Sequence, residues 1–135
     1  MIQRLQTLFL LGAGVLNLSV YFTPIYSHAV NDPAAWIGNG FAILLALSMI
    51  LAFLSIFLYK DRIRQLKYIK IGITIEIAAL AVAAAILFTL GGIGSFLMAE
   101  ALSVFLLLLA LICYWQAGRF VKKDEELVQS MDRIR

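Results

Sequence analysis

Four long apolar runs, each with at most two charged residues, constrain what this chain can fold into. They cover approximately residues 5–26, 37–59, 68–90 and 96–117. At about 1.5 Å per helical residue, a run of this length is long enough to cross a hydrocarbon core of about 30 Å. Apolar residues make up 63% of the chain and charged residues only 14%, well below the quarter or so that is usual in soluble domains. The sequence therefore predicts an all-α membrane protein with four transmembrane helices.

The connections between the runs are short and favour an up-down-up-down bundle. The first and third contain turn-forming residues, with Asn31, Asp32 and Pro33 in the first and a glycine-rich segment at residues 91–95 in the third. We expect residues 1–117 to form the transmembrane domain and residues 118–135 a charged, helical cytoplasmic tail. An alternative, that the first run is a cleaved signal peptide, is disfavoured because the run exceeds the usual 7 to 15 apolar residues.

The distribution of positive charge predicts the orientation of the helices. All eleven Lys and Arg residues lie before the first run, around the second connection or in the tail. Under the positive-inside rule, both termini and the second connection face the cytoplasm, so the net charge of +3 reflects topology and predicts no nucleic-acid partner. Aromatic residues, including Tyr114 and Trp115, are expected to mark the inner membrane edge.

Small residues suggest how the helices pack, because close approach stabilises helix pairs in lipid. The third run contains small residues four apart, at Ala79 and Ala83 and again at Ala81 and Ala85, and we expect it to be the most buried helix. The fourth run is bulky at residues 105–109, as expected for a surface that faces lipid or another subunit. Intramolecular packing is the favoured interpretation, and a homo-oligomer stays open.

Two carboxyl groups lie inside the predicted spans, at Glu76 and Glu100. Charge at membrane depth costs about 2.5 to 3.5 kcal/mol on insertion scales, so each acid needs a partner or a function. The two differ in height by about 10 Å, too far to share one proton or metal ion. By height, Asn17 is the candidate partner of Glu100 and Ser48 that of Glu76. We favour interhelical hydrogen bonding by these acids over a proton or ion relay.

No other pattern predicts catalysis. The single histidine, His28, lies in a predicted external loop, and Cys113 has no surrounding motif. No histidine or lysine is placed to activate a serine or threonine, and the spacings of metal, nucleotide and dinucleotide sites are absent. We therefore expect no enzyme activity, no metal and no cofactor.

The tail carries an apolar stripe at helical spacing, which predicts that it continues the fourth span as a helix. The stripe consists of Phe120, Leu127, Met131 and Ile134. This stripe is expected to face the bilayer, the basic second connection or a partner protein, and a solvated helical extension is a further alternative. The candidate interaction residues of the tail are Phe120, Lys122, Lys123, Asp124, Glu125, Leu127, Met131 and Ile134.

Two segments, one at each end of the chain, resemble a known protein family. They are MIQRLQTLFLL at the start and GRFVKKDEELVQSMDRIR at the finish. With four spans between them, they resemble a family of small integral membrane proteins of Bacteroidota that is filed as a domain of unknown function. The resemblance implies a bacterial inner-membrane location and a cytoplasmic surface formed by the two ends. Its signature residues are Ile2, Gln3, Arg4, Lys122, Lys123, Asp124, Glu125, Leu127, Val128, Asp132, Arg133 and Arg135.

Together these observations predict a small noncatalytic inner-membrane protein, a scaffold or accessory subunit in contact with the bilayer, whose cytoplasmic ends engage a membrane or cytoplasmic protein. The alternative function is that of a transporter or channel component in which Glu76 and Glu100 relay protons or ions.

Overall fold

The described part of the chain is entirely helical, which confirms the predicted all-α class. The structure is a computed structural model that describes residues 2–90 and 98–134, with side chains from residue 4 onward. Its helices are α1 (Ile2–Val20), α2 (Pro24–Asn31), α3 (Ala35–Phe57), α4 (Arg62–Thr89) and α5 (Met98–Asp132). The fifth is a single helix of 35 residues, as the stripe in the tail predicted.

Three helices, α3, α4 and α5, are long and apolar enough to cross a membrane. The pair α1 and α2 also passes this test, but the two helices are bent by 53° at a short break, so that the pair gives a fourth span only if it is counted as one. This differs from the straight run expected over residues 5–26. The cause is Pro24, which lacks an N–H and disfavours helical geometry at Thr23, whose backbone is extended.

The first and second connections are shorter than the sequence suggested. The helix α2 occupies much of the expected turn at residues 27–36, and the Oδ1 atom of Asp32 accepts a hydrogen bond of 2.8 Å from the N–H of Ala34. Between α3 and α4, Asp61 caps the new helix by accepting a hydrogen bond of 3.2 Å from the N–H of Arg64. The predicted glycine-rich turn at residues 91–95 lies outside the described residues.

The four long helices pack as a ring in which α1 contacts α3 and α5, and α4 contacts the same two helices. Their buried apolar residues form two clusters, and each long helix contributes to both. The first, joined by α2, contains Val20, Ile25, Ala29, Phe41, Leu45, Ala79, Ala83, Leu87 and Leu107. The second contains Leu10, Ala13, Ala52, Ile69, Tyr114, Ala117 and Val121.

Only half of the expected small-residue contacts on α4 face the bundle. Ala79 and Ala83 are buried, whereas Ala81 and Ala85 are exposed. The apolar segments of α3 and α4 are buried to the same extent, so the structure does not single out α4 as the most buried helix. A close approach is instead made at Gly38 of α3, where an added Cβ would lie 2.5 Å from the carbonyl oxygen of Ala29 in α2.

Candidate functional site

Three polar side chains meet in the centre of the bundle: Asn17 from α1, Ser48 from α3 and Glu76 from α4. All three are fully buried. The hydroxyl of Ser48 donates a hydrogen bond of 2.5 Å to Oε2 of Glu76, and the amide Nδ2 of Asn17 donates to the same oxygen over 3.0 Å. The Asn17 amide also donates to the carbonyl oxygen of Ala13, one turn earlier in α1, at 3.0 Å. We call this group, with Tyr114, the polar centre.

The fourth long helix joins the polar centre through Tyr114. Its hydroxyl donates a short hydrogen bond to the main-chain carbonyl of Ser48 and lies 3.4 Å from the Ser48 hydroxyl. Gly72 of α4 makes room for the ring, since an added Cβ would lie 2.7 Å from it. The expectation that Tyr114 marks the membrane edge was wrong, because the side chain is fully buried. Tyr114 lies only three residues before the end of the predicted span, so its position along the chain did not signal its burial.

The surroundings of Glu76 favour the neutral form of its carboxyl. No cationic side chain of the described residues pairs with Glu76, and its exposed fraction is 0%, so water does not stabilise a charge there. Both hydrogen bonds arrive at Oε2, while Oε1 has no partner. If the carboxyl is neutral, Oε1 is the oxygen that would carry the proton, because Oε2 already accepts both hydrogen bonds. The centre joins all four long helices by hydrogen bonds, and no cationic side chain of the described residues takes part.

The two acids are separated in the fold, as their heights suggested, but their partners differ from the expected ones. Ser48 lies against Glu76 in the structure, whereas Asn17, assigned to Glu100 by height, also binds Glu76. Glu100 instead lies 3.4 Å from Nε2 of His28, measured from Oε1. The bend after α1 brings α2, and with it His28, against the start of α5. Sequence reasoning missed this pair because it assumed an unstructured external loop.

A second candidate site lies where the tail begins, at the end of the bundle opposite the contact between His28 and Glu100. The Nε atom of Arg62, at the start of α4, is 2.7 Å from Oδ2 of Asp124 in α5, and both side chains are mostly buried. The rings of Phe9 and Phe120 stack with their centroids 5.7 Å apart. Two contacts of different chemistry thus hold the first half of the tail against α1 and α4.

The second half of the tail is exposed. Of the four stripe residues, only Phe120 packs on the bundle, whereas the side chains of Leu127, Met131 and Ile134 are 48%, 66% and 87% exposed. The tail therefore docks through Asp124 on Arg62 and through Phe120 on Phe9, and the other three stripe residues do not take part. Leu127, Met131 and Ile134 thus do not face the basic second connection, which was one of the three surfaces expected for the stripe.

The remaining tail candidates are exposed at Lys122 and Lys123 and half-buried at Glu125. Glu125 accepts a hydrogen bond of 3.1 Å from Gln129, one turn later. Lys122 and Lys123 line a shallow cavity together with Phe120, Arg119, Gln116 and Glu126. No group of three or more histidine, cysteine or acidic side chains placed to hold a metal ion occurs within residues 2–90 and 98–134.

Comparison with known proteins gives one match. No curated protein and no solved structure matches this chain. A family described only as a domain of unknown function, DUF4293, matches residues 35–134, which include α3, α4, α5 and nearly all of the tail. The match includes most of the carboxy-terminal signature residues and leaves Ile2, Gln3 and Arg4 outside it. Because it covers most of the chain, this protein belongs to the DUF4293 family.

Proposed function

We propose that this protein is a noncatalytic scaffold or accessory subunit of a bacterial inner membrane, and that its carboxy-terminal helix binds a partner protein on the cytoplasmic side. In this proposal the bent pair counts as one span, which gives four spans in an up-down-up-down arrangement. The direction of each long helix between the two apolar clusters supports this arrangement. Helices α1 and α4 run from the second cluster to the first, and helices α3 and α5 run from the first cluster to the second.

Charge distribution supports the proposed orientation. The contacts Arg62–Asp124 and Phe9–Phe120 bring the start of α1, the start of α4 and the end of α5 to one end of the bundle. These are the three segments that carry all eleven cations, so the positive-inside rule assigns this end, with both termini, to the cytoplasm.

The observation that carries the partner-binding role is the exposed stripe on a helix that is longer than the membrane. At 35 residues, α5 is roughly 52 Å long, about 20 Å more than a hydrocarbon core requires. The contact of Asp124 with Arg62 anchors α5 to the bundle. Beyond this contact the helix exposes Leu127, Met131 and Ile134. Scattered exposed apolar residues need no explanation, but a stripe on one face of a cytoplasmic helix is a common docking surface.

The charge of this segment favours a protein over the membrane surface. Residues 124–135 contain four acids and two arginines, a negative balance that anionic headgroups repel. We therefore propose a partner with an apolar groove and a basic rim. The transport alternative receives less support, because Glu76 is inaccessible to water and Glu100 is paired with His28 elsewhere.

Site-specific photo-crosslinking from position 131 in native membranes tests the proposal. We expect one discrete protein adduct, and we expect the Leu127→Ser variant to lose it, because burial of a Leu side chain contributes about 1.5 to 3 kcal/mol, or tenfold or more in affinity. A probe at Gln129, off the stripe, is the matched control and should give no such adduct. The protein in the adduct, once identified and purified, should bind the parent chain and not the Leu127→Ser variant.

Other adducts would contradict the proposal. If the probe at position 131 labels only lipid, the tail lies on the membrane. If it labels only a second copy of this chain, the stripe is a homo-oligomer contact. If it labels nothing, the tail is a solvated extension.

A further inference from the structure

We propose that a groove between α4 and α5 binds an anionic phospholipid of the cytoplasmic leaflet. The groove has a volume of about 340 Å³ and lies at the end of the bundle where the cations cluster. Its lining combines three cationic residues, Lys70, Arg119 and Lys122, with apolar side chains of both helices. The proposal rests on the membrane orientation given above and is independent of the partner protein.

The three cations converge from two helices. Lys70 comes from the first third of α4, whereas Arg119 and Lys122 are three residues apart, and so on one face of α5. Within the described residues, no carboxylate lies within salt-bridge distance of Lys70 or Arg119. Lys122 has only a long, exposed contact of 3.9 Å with Glu126, which contributes little. The positive charge of the groove is thus largely uncompensated by the protein itself.

The apolar part of the groove lining suits the part of an acyl chain that is nearest to the headgroup. Ile69 and Ile73 of α4 form its apolar wall, and Trp115 of α5 lies at the same level. The guanidinium of Arg119 stacks over the Trp115 ring, 4.8 Å from its centroid, so that its charge is held beside the apolar wall. Gly118 opens the groove between the helices, since an added Cβ there would lie 3.3 Å from Ile69.

This combination distinguishes a phospholipid from other anions. A soluble anion would use the cations and leave the apolar wall unused, and a zwitterionic lipid would use the wall and gain little from the cations. Basic pockets between transmembrane helices on the cytoplasmic side are known binding places for anionic headgroups. An anionic phospholipid, with its phosphate at the three cations and its chain along Ile73 and Trp115, uses both surfaces.

Lipid binding to the purified full chain in detergent tests this proposal. Phosphatidylglycerol, phosphatidylcholine and free glycerol phosphate are titrated, and bound lipid is counted by native mass spectrometry. We expect phosphatidylglycerol to bind at least tenfold more tightly than either of the other two. Each cation near a membrane surface contributes about fivefold to such binding, so the variant Lys70→Gln, Arg119→Gln, Lys122→Gln should lose that preference.

A charge-matched control separates the groove from general attraction. The variant Lys60→Gln, Lys67→Gln, Arg133→Gln removes three cations that do not line the groove and should keep the preference within about twofold. If the triple groove variant does not fold, Lys70→Gln alone, at an exposed side chain, should still lose about fivefold.

Three results would overturn the proposal. One is equal binding of phosphatidylcholine, which would make the cations irrelevant. Another is an equal loss in the control variant, which would indicate diffuse charge attraction. The last is equally tight binding of glycerol phosphate, which would mean that the apolar wall takes no part. None of these results affects crosslinking from position 131, so the two proposals fail independently.

Discussion

Replacing Glu76 tests whether the buried acid serves the structure or carries charge. We expect Glu76→Gln to fold and to lose less than about 1 kcal/mol of unfolding free energy, because an amide oxygen can accept the hydrogen bonds that Oε2 now accepts. Glu76→Leu removes the acceptor and leaves the hydroxyl of Ser48 and the amide of Asn17 without it. Interhelical hydrogen bonds in membranes average about 0.6 kcal/mol and reach about 1.7, so the loss of two should cost about 1 to 3 kcal/mol.

The measurement is reversible unfolding of the purified protein by sodium dodecyl sulfate in mixed micelles, followed by circular dichroism. Glu125→Gln is the matched control, because it makes the same chemical change on the exposed tail. Its unfolding free energy should change by no more than about 0.5 kcal/mol. A double variant, Ser48→Ala with Glu76→Leu, should cost less than the sum of the two single changes, because both remove the same hydrogen bond.

Two outcomes would refute this reasoning. If Glu76→Gln destabilises the protein as much as Glu76→Leu, the carboxyl is ionised in the native state and its charge is needed. If Glu76→Leu costs nothing, the polar centre does not hold the helices together. A proton flux in liposomes that disappears in a folded Glu76→Gln variant would favour the transport alternative.

Two further predictions follow from close contacts elsewhere in the chain. Gly38→Ala should destabilise the protein by about 1 to 3 kcal/mol in the same unfolding assay, because the added Cβ would lie 2.5 Å from the carbonyl oxygen of Ala29. Gly40→Ala, where a Cβ meets nothing within 4 Å, should instead be neutral or stabilising by up to about 1 kcal/mol, and equal effects of the two changes would contradict the packing of α2 on α3. Asp124→Asn should weaken the contact with Arg62 and increase trypsin cleavage within the tail, relative to the parent chain, and an unchanged digestion rate would show that ring stacking alone anchors the tail.

Helix content and the long final helix could be predicted from the sequence, because both depend on local patterns. Runs of apolar residues at membrane length and a stripe at helical spacing are properties of the chain itself. The pairing of Asn17 was predicted wrongly, because heights counted from uncertain span boundaries are too coarse to match residues on different helices. Counting put Asn17 at the height of Glu100, yet its amide lies 3.0 Å from Oε2 of Glu76, so the two are at one level in the bundle.

The bend at Pro24 had a sequence signal that the reasoning underused. A proline near the end of an apolar run marks a probable helix boundary, and Thr23 before it adopts the expected extended backbone. Its consequence was harder to foresee, because only the three-dimensional path of α2 brings His28 to Glu100. Tyr114 was misplaced for a related reason, because an aromatic residue near a predicted span end was assigned to the interface although Gly72 offered a recess for its ring.

The unbroken course of α5 connects the His28 contact at one end of the bundle to the exposed tail at the other, so under the proposed function it could act as a lever. Glu100, in its first turn, contacts His28 on α2, and the same helix ends at the exposed apolar stripe. A rigid rod roughly 52 Å long that tilts by about 5° about one end moves its other end by between 4 and 5 Å. A displacement of that size is close to one helical turn, enough to move Met131 out of register with a groove on a neighbouring protein.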